Sequence, residues 1–476
     1  MSHAESNPDT PPVAILGAGI SGLSTAWHLR RAGLPVTVYE AGPRAGGVIV
    51  SRRDGPWLAE GGPNTLLETS PRIAAFIDAL GIAGRRVHAD PAASARFIVR
   101  NGRPVRLPAG VAGFVFGPAF SWRAKLRLLG EPFIGRGTEE ESVAAFVRRR
   151  LGREFLDYAI DPLVTGIYAG DPERVSIRHA FPRIHALEER HGSLIRGQVF
   201  GAGERRRRGD VSKATAPKFS FDDGLQVLTD AAWDALRDDV LLDAAVEAVE
   251  PSGRDWRVTV RRGDRVETAT HPAVVLTGNA HTLARLRLGG DLPSLAPLAE
   301  IPHPPVTSVV LGFRRGDVAH PCQGFGLLVP HRERCGILGT IFSSALFPGR
   351  APAGHVTLTT YVGGARNPEA AAQADGPLVD AVVRDLDRLF RVSGRPVFTA
   401  IQRWQHAIPQ YVVGHGRHLA LLDDLEARAP GLFVAGQYRH GVSLGDCILG
   451  GIRAAERLGD HLRSSTPVPL ATSAAS

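Results

Sequence analysis

At 476 residues the chain is too long for one hydrophobic core, so two or three domains are expected. Its 43% hydrophobic and 22% charged residues exclude a disordered chain and read as a globular protein leaning to α/β. The 56 Lys+Arg against 48 Asp+Glu favour anionic partners, but the basic residues are dispersed and aromatics reach only 7%, which argues against nucleic acid.

Residues 1–12 are polar and lack the basic, apolar and cleavage regions of a secretion signal, so export is not expected and a cytoplasmic location is. The first element is a short apolar run, Val13-Ala14-Ile15-Leu16, suited to a buried parallel strand. It enters Gly17-Ala18-Gly19-Ile20-Ser21-Gly22 and a helical stretch over 23–32, and a second run over 36–39 ends in Glu40 and Ala41. Strand, glycine turn, helix, strand and acid is the order of a dinucleotide-binding βαβ unit. Gly17 permits the turn, Gly19 lets a pyrophosphate approach the helix N-terminus, and Gly22 allows close helix packing. Glu40 is placed to accept hydrogen bonds from a ribose diol. The sequel Arg44-Ala45-Gly46-Gly47 is a second glycine pair that resembles the extension seen in FAD enzymes of the amine oxidase superfamily, a resemblance that implies FAD rather than NAD.

Further along, Arg96 opens a predicted strand over 96–100, where on its own it reads as a solvated edge residue. An apolar patch over 107–116 is followed by Phe120 and Trp122 and by Arg123, Lys125 and Arg127, a composition suited to lying in a bilayer interface but too short to cross it. His185 and His191 flank Glu188 and Glu189, which reads as a charged helix face, and the run 205–208 reads as a charged loop. Strands are predicted over 255–260, 266–270, 273–278 and 357–362, the last holding Tyr361. Near the C-terminus, Leu432-Phe433-Val434-Ala435-Gly436 reads as a strand entering a glycine turn. Gly441-Val442-Ser443-Leu444-Gly445-Asp446 then leads into a helix over 447–458 that could aim N–H groups at a flavin or phosphate. The 17 histidines show no paired metal-ligand spacing, Cys322, Cys335 and Cys447 are too few for a thiolate site, and Ser21 and Ser443 lack a neighbouring base. No metal is expected.

Four blocks carry a closer resemblance: Glu60-Gly61-Gly62-Pro63-Asn64-Thr65, the stretch Asp161 to Pro172 around Gly166, Phe342-Ser343-Ser344, and Ala407-Ile408-Pro409-Gln410-Tyr411. In order and register they resemble the oxygen-dependent protoporphyrinogen oxidases of the FAD-dependent amine oxidase superfamily, over about residues 13–460. The resemblance implies a Rossmann-type α/β FAD domain assembled from 10–90, 225–300 and 396–464. It also implies a mainly helical membrane-facing region over 91–205, and a mixed α+β substrate domain from 206–224 and 300–395. Residues 1–9 and 465–476 would be flexible tails.

Carried over by position, non-covalent FAD would touch Gly17, Ala18, Gly19, Ile20, Ser21, Gly22, Glu40, Ala41, Arg44, Gly46, Gly47 and Val48. Its further contacts would be Gly62, Pro63, Asn64, Thr65, Val246, Gly436, Gln437, Val442, Ser443 and Leu444, with Trp404 close by. Arg96, Asn64, Leu328, Ile341 and Tyr361 would line the porphyrinogen cavity, and Gly166, Arg96 and Tyr361 would serve the reaction. Arg96 would hold a propionate, and Tyr361 stands where the family usually has a Phe that stacks on a pyrrole. The implied activity is six-electron oxidation of protoporphyrinogen IX, in three cycles of hydride transfer to the flavin, each followed by reoxidation by O2 with release of H2O2. The implied partners are a porphyrinogen and a membrane surface bound monotopically on the cytoplasmic side, with a homodimer and transient contact with a downstream chelatase left open. The blocks Phe181-Pro182 and Leu187-Glu188-Glu189 look more like enzymes acting on protoporphyrinogen than on coproporphyrinogen III. The other readings are oxidation of coproporphyrinogen III to coproporphyrin III, an amine oxidase or desaturase of the same superfamily, and a non-catalytic flavin-bound protein.

Overall fold

The computed structural model describes residues 11–108, 113, 116–200 and 216–465. The expected tails, apart from Ser465 at the end of the last helix, and the basic run 205–208 lie outside them.

Val13–Leu16 is buried throughout and pairs in parallel on both sides, with Val36–Tyr39 and with Val274–Leu276. Val240–Leu241 and Leu432–Val434 complete a five-stranded parallel sheet. Strands this apolar need cover on both faces. Ile15, Val38, Val275 and Phe433 pack against helices Ile20–Arg31 and Leu444–Ser465. Leu16, Val274, Leu276 and Val434 pack on the other side, with Trp256 and Val258 of strand Asp255–Arg262 and Leu422 and Leu425 of helix Gly416–Arg428. The first and last helices approach closely. Ser24 Oγ donates to the Ile448 carbonyl at 3.1 Å, and a Cβ on Gly451 would lie 2.4 Å from the Ser21 carbonyl.

A seven-stranded sheet forms the second layer, in the order Phe398–Trp404, Val306–Arg314, His355–Gly363, Ile337–Ile341, Gly326–Leu328, Arg96–Arg100 and Arg103–Arg106. One face carries Val99, Leu311, Leu327 and Leu358 against Leu378, Val382 and Leu386 of helix Asp375–Phe390. The other face meets helix Asp161–Tyr168 and the hairpin of Ser51–Asp54 and Trp57–Glu60, where Trp57 lies over Gly312.

Two segments pair differently from the sequence expectation. The hairpin over 96–106, within the stretch 91–205 expected to be mainly helical, and Phe398–Trp404, within the piece 396–464 expected in the FAD domain, both belong to the seven-stranded sheet. Local pattern identifies a strand but not its partners, which are fixed by distant register. From Trp122–Leu129 to Leu194–Phe200 the described stretch is mainly helical. Within it the charged face expected around Glu188 is instead a buried ionic cluster. Arg150, fully buried, bonds Glu131 and Glu188, and Arg149 also bonds Glu188. Burial alone would raise the Glu188 carboxyl, but the Arg149 and Arg150 guanidiniums hold it below its usual range.

Candidate active site

The glycine turn has the shape the sequence requires. Gly17 adopts φ +107°, and a Cβ on Gly22 would lie 1.9 Å from the Gly17 carbonyl oxygen, so neither position accepts a side chain without movement. On Gly19, by contrast, a Cβ would meet nothing within 4 Å. The one glycine whose side-chain face is open is the one a pyrophosphate must approach, so the turn fits a dinucleotide. Glu40 accepts from the Ala18 amide at 2.7 Å and the Gly42 amide at 2.9 Å, leaving lone pairs for a ribose diol. Val246 stands near it, since the preceding Ala244 donates to the Glu40 carbonyl at 2.8 Å. Ala41 is exposed beside the acid.

The second glycine pair folds back onto the first. The Gly46 amide donates to the Ala18 carbonyl at 2.8 Å, and a Cβ on Gly47 would lie 3.2 Å from the Gly19 Cα. Arg44 braces this loop by donating to the carbonyls of Ala45, Gly47 and Ile49. Val48 is next: its carbonyl oxygen would lie 2.1 Å from a Cβ on Gly62, so the two loops stack. Pro63 and Thr65 continue the second loop toward strand Leu66–Leu67. Trp404 Nε1 donates to the Gly61 carbonyl at 2.9 Å, tying that loop to the seven-stranded sheet.

At the C-terminal turn, Gln437 Nε2 reaches Asn279 Oδ1 at 3.4 Å, and Gly436 is extended. Val442 and Ser443 lead into the last helix at Leu444, and Ser443 Oγ donates to Asp446 Oδ2 at 2.6 Å. Ser21 is buried between the first and last helices, with its hydroxyl donating to the Cys447 carbonyl at 3.3 Å, so its side chain serves helix packing. Ile20 starts the first helix and is buried.

The expected cavity residues share one face of the seven-stranded sheet. Directly paired residues lie on the same side of a sheet and alternate residues return to it. Leu328 pairs with Gly339, which pairs with Tyr361; two residues along, Arg96 pairs with Gly326, and Gly326 with Ile341. Arg96, Leu328, Ile341 and Tyr361 therefore point the same way. Gly166 sits against them from helix Asp161–Tyr168, since a Cβ there would lie 2.7 Å from Leu328 Cδ2. Asn64 Nδ2 donates to the Tyr361 hydroxyl at 2.5 Å, joining the loop over 61–65 to the seven-stranded sheet. Burial pushes the Tyr361 phenol well above its usual range, so it stays protonated. Beside Tyr361 across the strand pair, the Ser308 hydroxyl is buried with no hydrogen-bond partner among the described residues.

Several contacts that position these residues carry no local sequence signal. Thr277 Oγ1 donates to the Leu16 and Gly17 carbonyls at 2.8 and 3.0 Å, fixing the glycine turn. Arg366 bonds Asp161 Oδ1 and reaches Thr165 Oγ1 at 3.2 Å, while the His331 amide donates to Asp161 Oδ2 at 2.8 Å, which pins the Gly166 helix to the sheet. The blocks around Gly166 and Gln410 pack together: Gln410 Nε2 donates to the Tyr168 carbonyl at 2.7 Å, and Tyr411 bonds the Gln437 carbonyl and the Gly441 amide. Among the described residues, no group of three His, Cys, Asp or Glu could hold a metal ion.

Residues 20–459 match the family described as flavin containing amine oxidoreductase. Protoporphyrinogen oxidase 2, chloroplastic/mitochondrial, of Arabidopsis thaliana is 33% identical over 95% of this chain and 94% of its own length. Coproporphyrinogen III oxidase of Bacillus subtilis (strain 168) is 28% identical over 92% of this chain and 95% of its own. A solved structure from Exiguobacterium sp. 255-15, assigned to the protoporphyrinogen oxidases, superposes with a TM-score of 0.80 at 23% identity, covering 96% of this chain and 100% of that one.

Proposed function

Because the chain belongs to the protoporphyrinogen oxidase family within the flavin containing amine oxidoreductases, we propose that it oxidises protoporphyrinogen IX to protoporphyrin IX with FAD and dioxygen. The chain is a flavin-dependent oxidoreductase. The observation that carries the substrate reading is the gathering of Arg96, Leu328, Ile341 and Tyr361 on one sheet face, with Gly166 against Leu328.

FAD supplies a two-electron acceptor, so the six electrons leave in three cycles, with three O2 reduced to three H2O2. The residues of the chain bind and orient. Arg96 is exposed and, among the described residues, lies over the Phe325 ring without an ion pair, a state suited to taking a propionate. Leu328, Ile341 and the Tyr361 ring form the wall for the macrocycle, and the Asn64 hydrogen bond fixes the ring plane of Tyr361. Gly166 lies in the last turn of its helix, where carbonyls lack intrahelical donors, so its carbonyl is available to orient a bridging methylene.

The test is to mix flavin-loaded protein with protoporphyrinogen IX and, separately, coproporphyrinogen III. Anaerobic bleaching of the flavin, and in air a fluorescent porphyrin with three H2O2 per macrocycle, are expected with protoporphyrinogen. Faster turnover of coproporphyrinogen would transfer the reading to that substrate, and inertness toward both would refute it.

Membrane docking is part of the same proposal. On helix Trp122–Leu129 the side chains of Trp122, Leu126 and Leu129 recur on one face and are 61%, 62% and 70% exposed, with Phe116 and Phe133 still more so. Arg123, Lys125 and Arg127 flank this stripe, a pattern that suits an anionic bilayer surface. Residues 109–112 and 114–115 of the expected patch lie outside the described residues. Among the described residues no helix is long and apolar enough to cross a membrane. Liposomes with anionic lipid should float the protein, and a Trp122→Ser, Leu126→Ser variant should stay at the bottom. Equal flotation of both would refute this surface as the docking face.

A further inference from the structure

Most guanidiniums near the core of this chain have a carboxylate partner: Arg150 has Glu131 and Glu188, Arg350 has Glu60, Arg366 has Asp161, and Arg439 has Glu426. Two cations at the rim of the cavity face have none among the described residues. Arg96 has no hydrogen bond or ion pair from its side chain among the described residues, and lies over the Phe325 ring at 5.8 Å. Lys218 is half-buried, and among the described residues its ammonium has only a long contact, 3.5 Å, to the Ala216 carbonyl two residues behind it.

The fold brings these two together from different sheets. Lys218 opens strand Lys218–Phe221, which pairs with Leu66–Leu67 and with Arg86–His88. Its carbonyl accepts from the Ala89 amide at 2.8 Å, and the next residue, Asp90, donates from its amide to the Leu346 carbonyl at 3.0 Å. Ala89, Leu346, Phe325 and Ile341 belong to one apolar cluster, and Phe325 is the residue beneath Arg96. Lys218 thus borders the cavity face on the side where Arg96 stands. Burial lowers the Lys218 ammonium below its usual range and the Arg96 charge lowers it further, with no acid acting in the opposite direction. A half-buried cation beside a like charge is a costly arrangement unless an anion joins it.

Resting on the porphyrinogen reading above, we propose that Lys218 is the second cation of the carboxylate subsite, holding one propionate of the tetrapyrrole while Arg96 holds the neighbouring one. The ligand chemistry is a pair of carboxylates on adjacent pyrroles. Lys218 is a specificity residue, and its ammonium suits a site where the first carboxylate is already fixed by the Arg96 fork.

The experiment uses the flavin-loaded full chain with Lys218→Met, which keeps the length of the side chain, and Lys218→Arg, which restores charge. Steady-state oxidation of protoporphyrinogen IX is measured together with binding of the oxidised diacid, protoporphyrin IX, and of its dimethyl ester by fluorescence. The expected result for Lys218→Met is a KM raised about tenfold with kcat lowered less than about twofold, the size and split for loss of one charge-assisted hydrogen bond used for binding. Diacid affinity should fall by a similar factor, ester affinity should not change, and Lys218→Arg should recover most of the diacid affinity. Unchanged KM and diacid affinity in Lys218→Met, with active wild type, would overturn the role of Lys218 and leave the function standing. A wild type that neither oxidises nor binds a porphyrin would overturn the function and this inference with it.

Discussion

Gly19 and Gly22 belong to one motif, but the structure predicts opposite consequences for the same substitution. A Cβ on Gly22 would sit 1.9 Å from the Gly17 carbonyl oxygen and 2.8 Å from Thr277 Oγ1. Restoring ordinary contact, which begins at 3.4 Å, requires the helix or turn to move by about 1.5 Å and disturbs the Thr277 hydrogen bonds to Leu16 and Gly17. Overpacking of that kind costs about 1–3 kcal/mol. Gly22→Ala should therefore lower the stability of the apoprotein, and, where the strain falls on the turn, weaken FAD roughly 5- to 150-fold. Gly19 has φ −70° and ψ 175°, which alanine adopts freely, and its Cβ would meet nothing within 4 Å. Gly19→Ala should leave the apoprotein as stable as wild type or about 0.4–1 kcal/mol more so, yet bind FAD poorly because the methyl obstructs the pyrophosphate. Denaturant titration of the two apoproteins and calorimetric titration with FAD separate the cases. Wild-type FAD affinity in Gly19→Ala would refute the placement of the pyrophosphate at this turn.

Three further outcomes follow from the geometry. Tyr361→Phe removes the acceptor of the Asn64 amide but leaves that amide its Gly62 carbonyl at 3.2 Å, so kcat/KM for porphyrinogen should fall by less than about tenfold; a loss above a hundredfold would mean that the hydroxyl enters the chemistry. Arg150→Met removes the buried cation between Glu131 and Glu188, leaving Glu188 only Arg149 and Glu131 only Ser193 and the Leu194 and Ile195 amides, and should cost about 3–5 kcal/mol in denaturant unfolding, against little effect from Arg153→Met at an exposed neighbour. Burial holds His281, His415 and His440 at about 4, whereas the unfolded chain protonates near 6.5. Between those values the unfolded state carries more protons, so stability should be fully present above about pH 6.5 and decline as pH falls toward 4; a denaturation midpoint constant from pH 7.5 to 4.5 would contradict it.

What the sequence made legible was what is local. The turn over Gly17 to Gly22, the acid Glu40 and the Gly46-Gly47 pair are read within one βαβ unit because each glycine answers to a neighbour a few residues away. The motif blocks around Gly166 and Gln410 stood out as words without a visible reason; the structure supplies one, since Gln410 bonds the Tyr168 carbonyl and Arg366 bonds Asp161. Asp161 and Arg366 are 205 residues apart, and nothing in either neighbourhood announces the other. Glu188 was misread for the same reason. Its segment has the composition of a solvated helix face, and only the distant Arg149 and Arg150 explain why it is buried. The strand of Arg96 was legible but its sheet was not, because the residues that complete its register lie beyond position 326.

The pairing of Val274–Leu276 with Leu432–Val434, and of the first helix with the last, has a consequence for synthesis. A ribosome adding about 5–20 residues per second takes roughly 8–30 s to pass from the one strand to the other. Throughout that interval the parallel sheet has an unpaired apolar margin at Val274–Leu276, and the groove on the first helix that receives Gly451 is open. The nascent chain must be kept from joining its neighbours by that margin until Leu432–Val434 and the last helix emerge. Truncation near the C-terminus would therefore be expected to yield aggregate rather than a smaller folded enzyme.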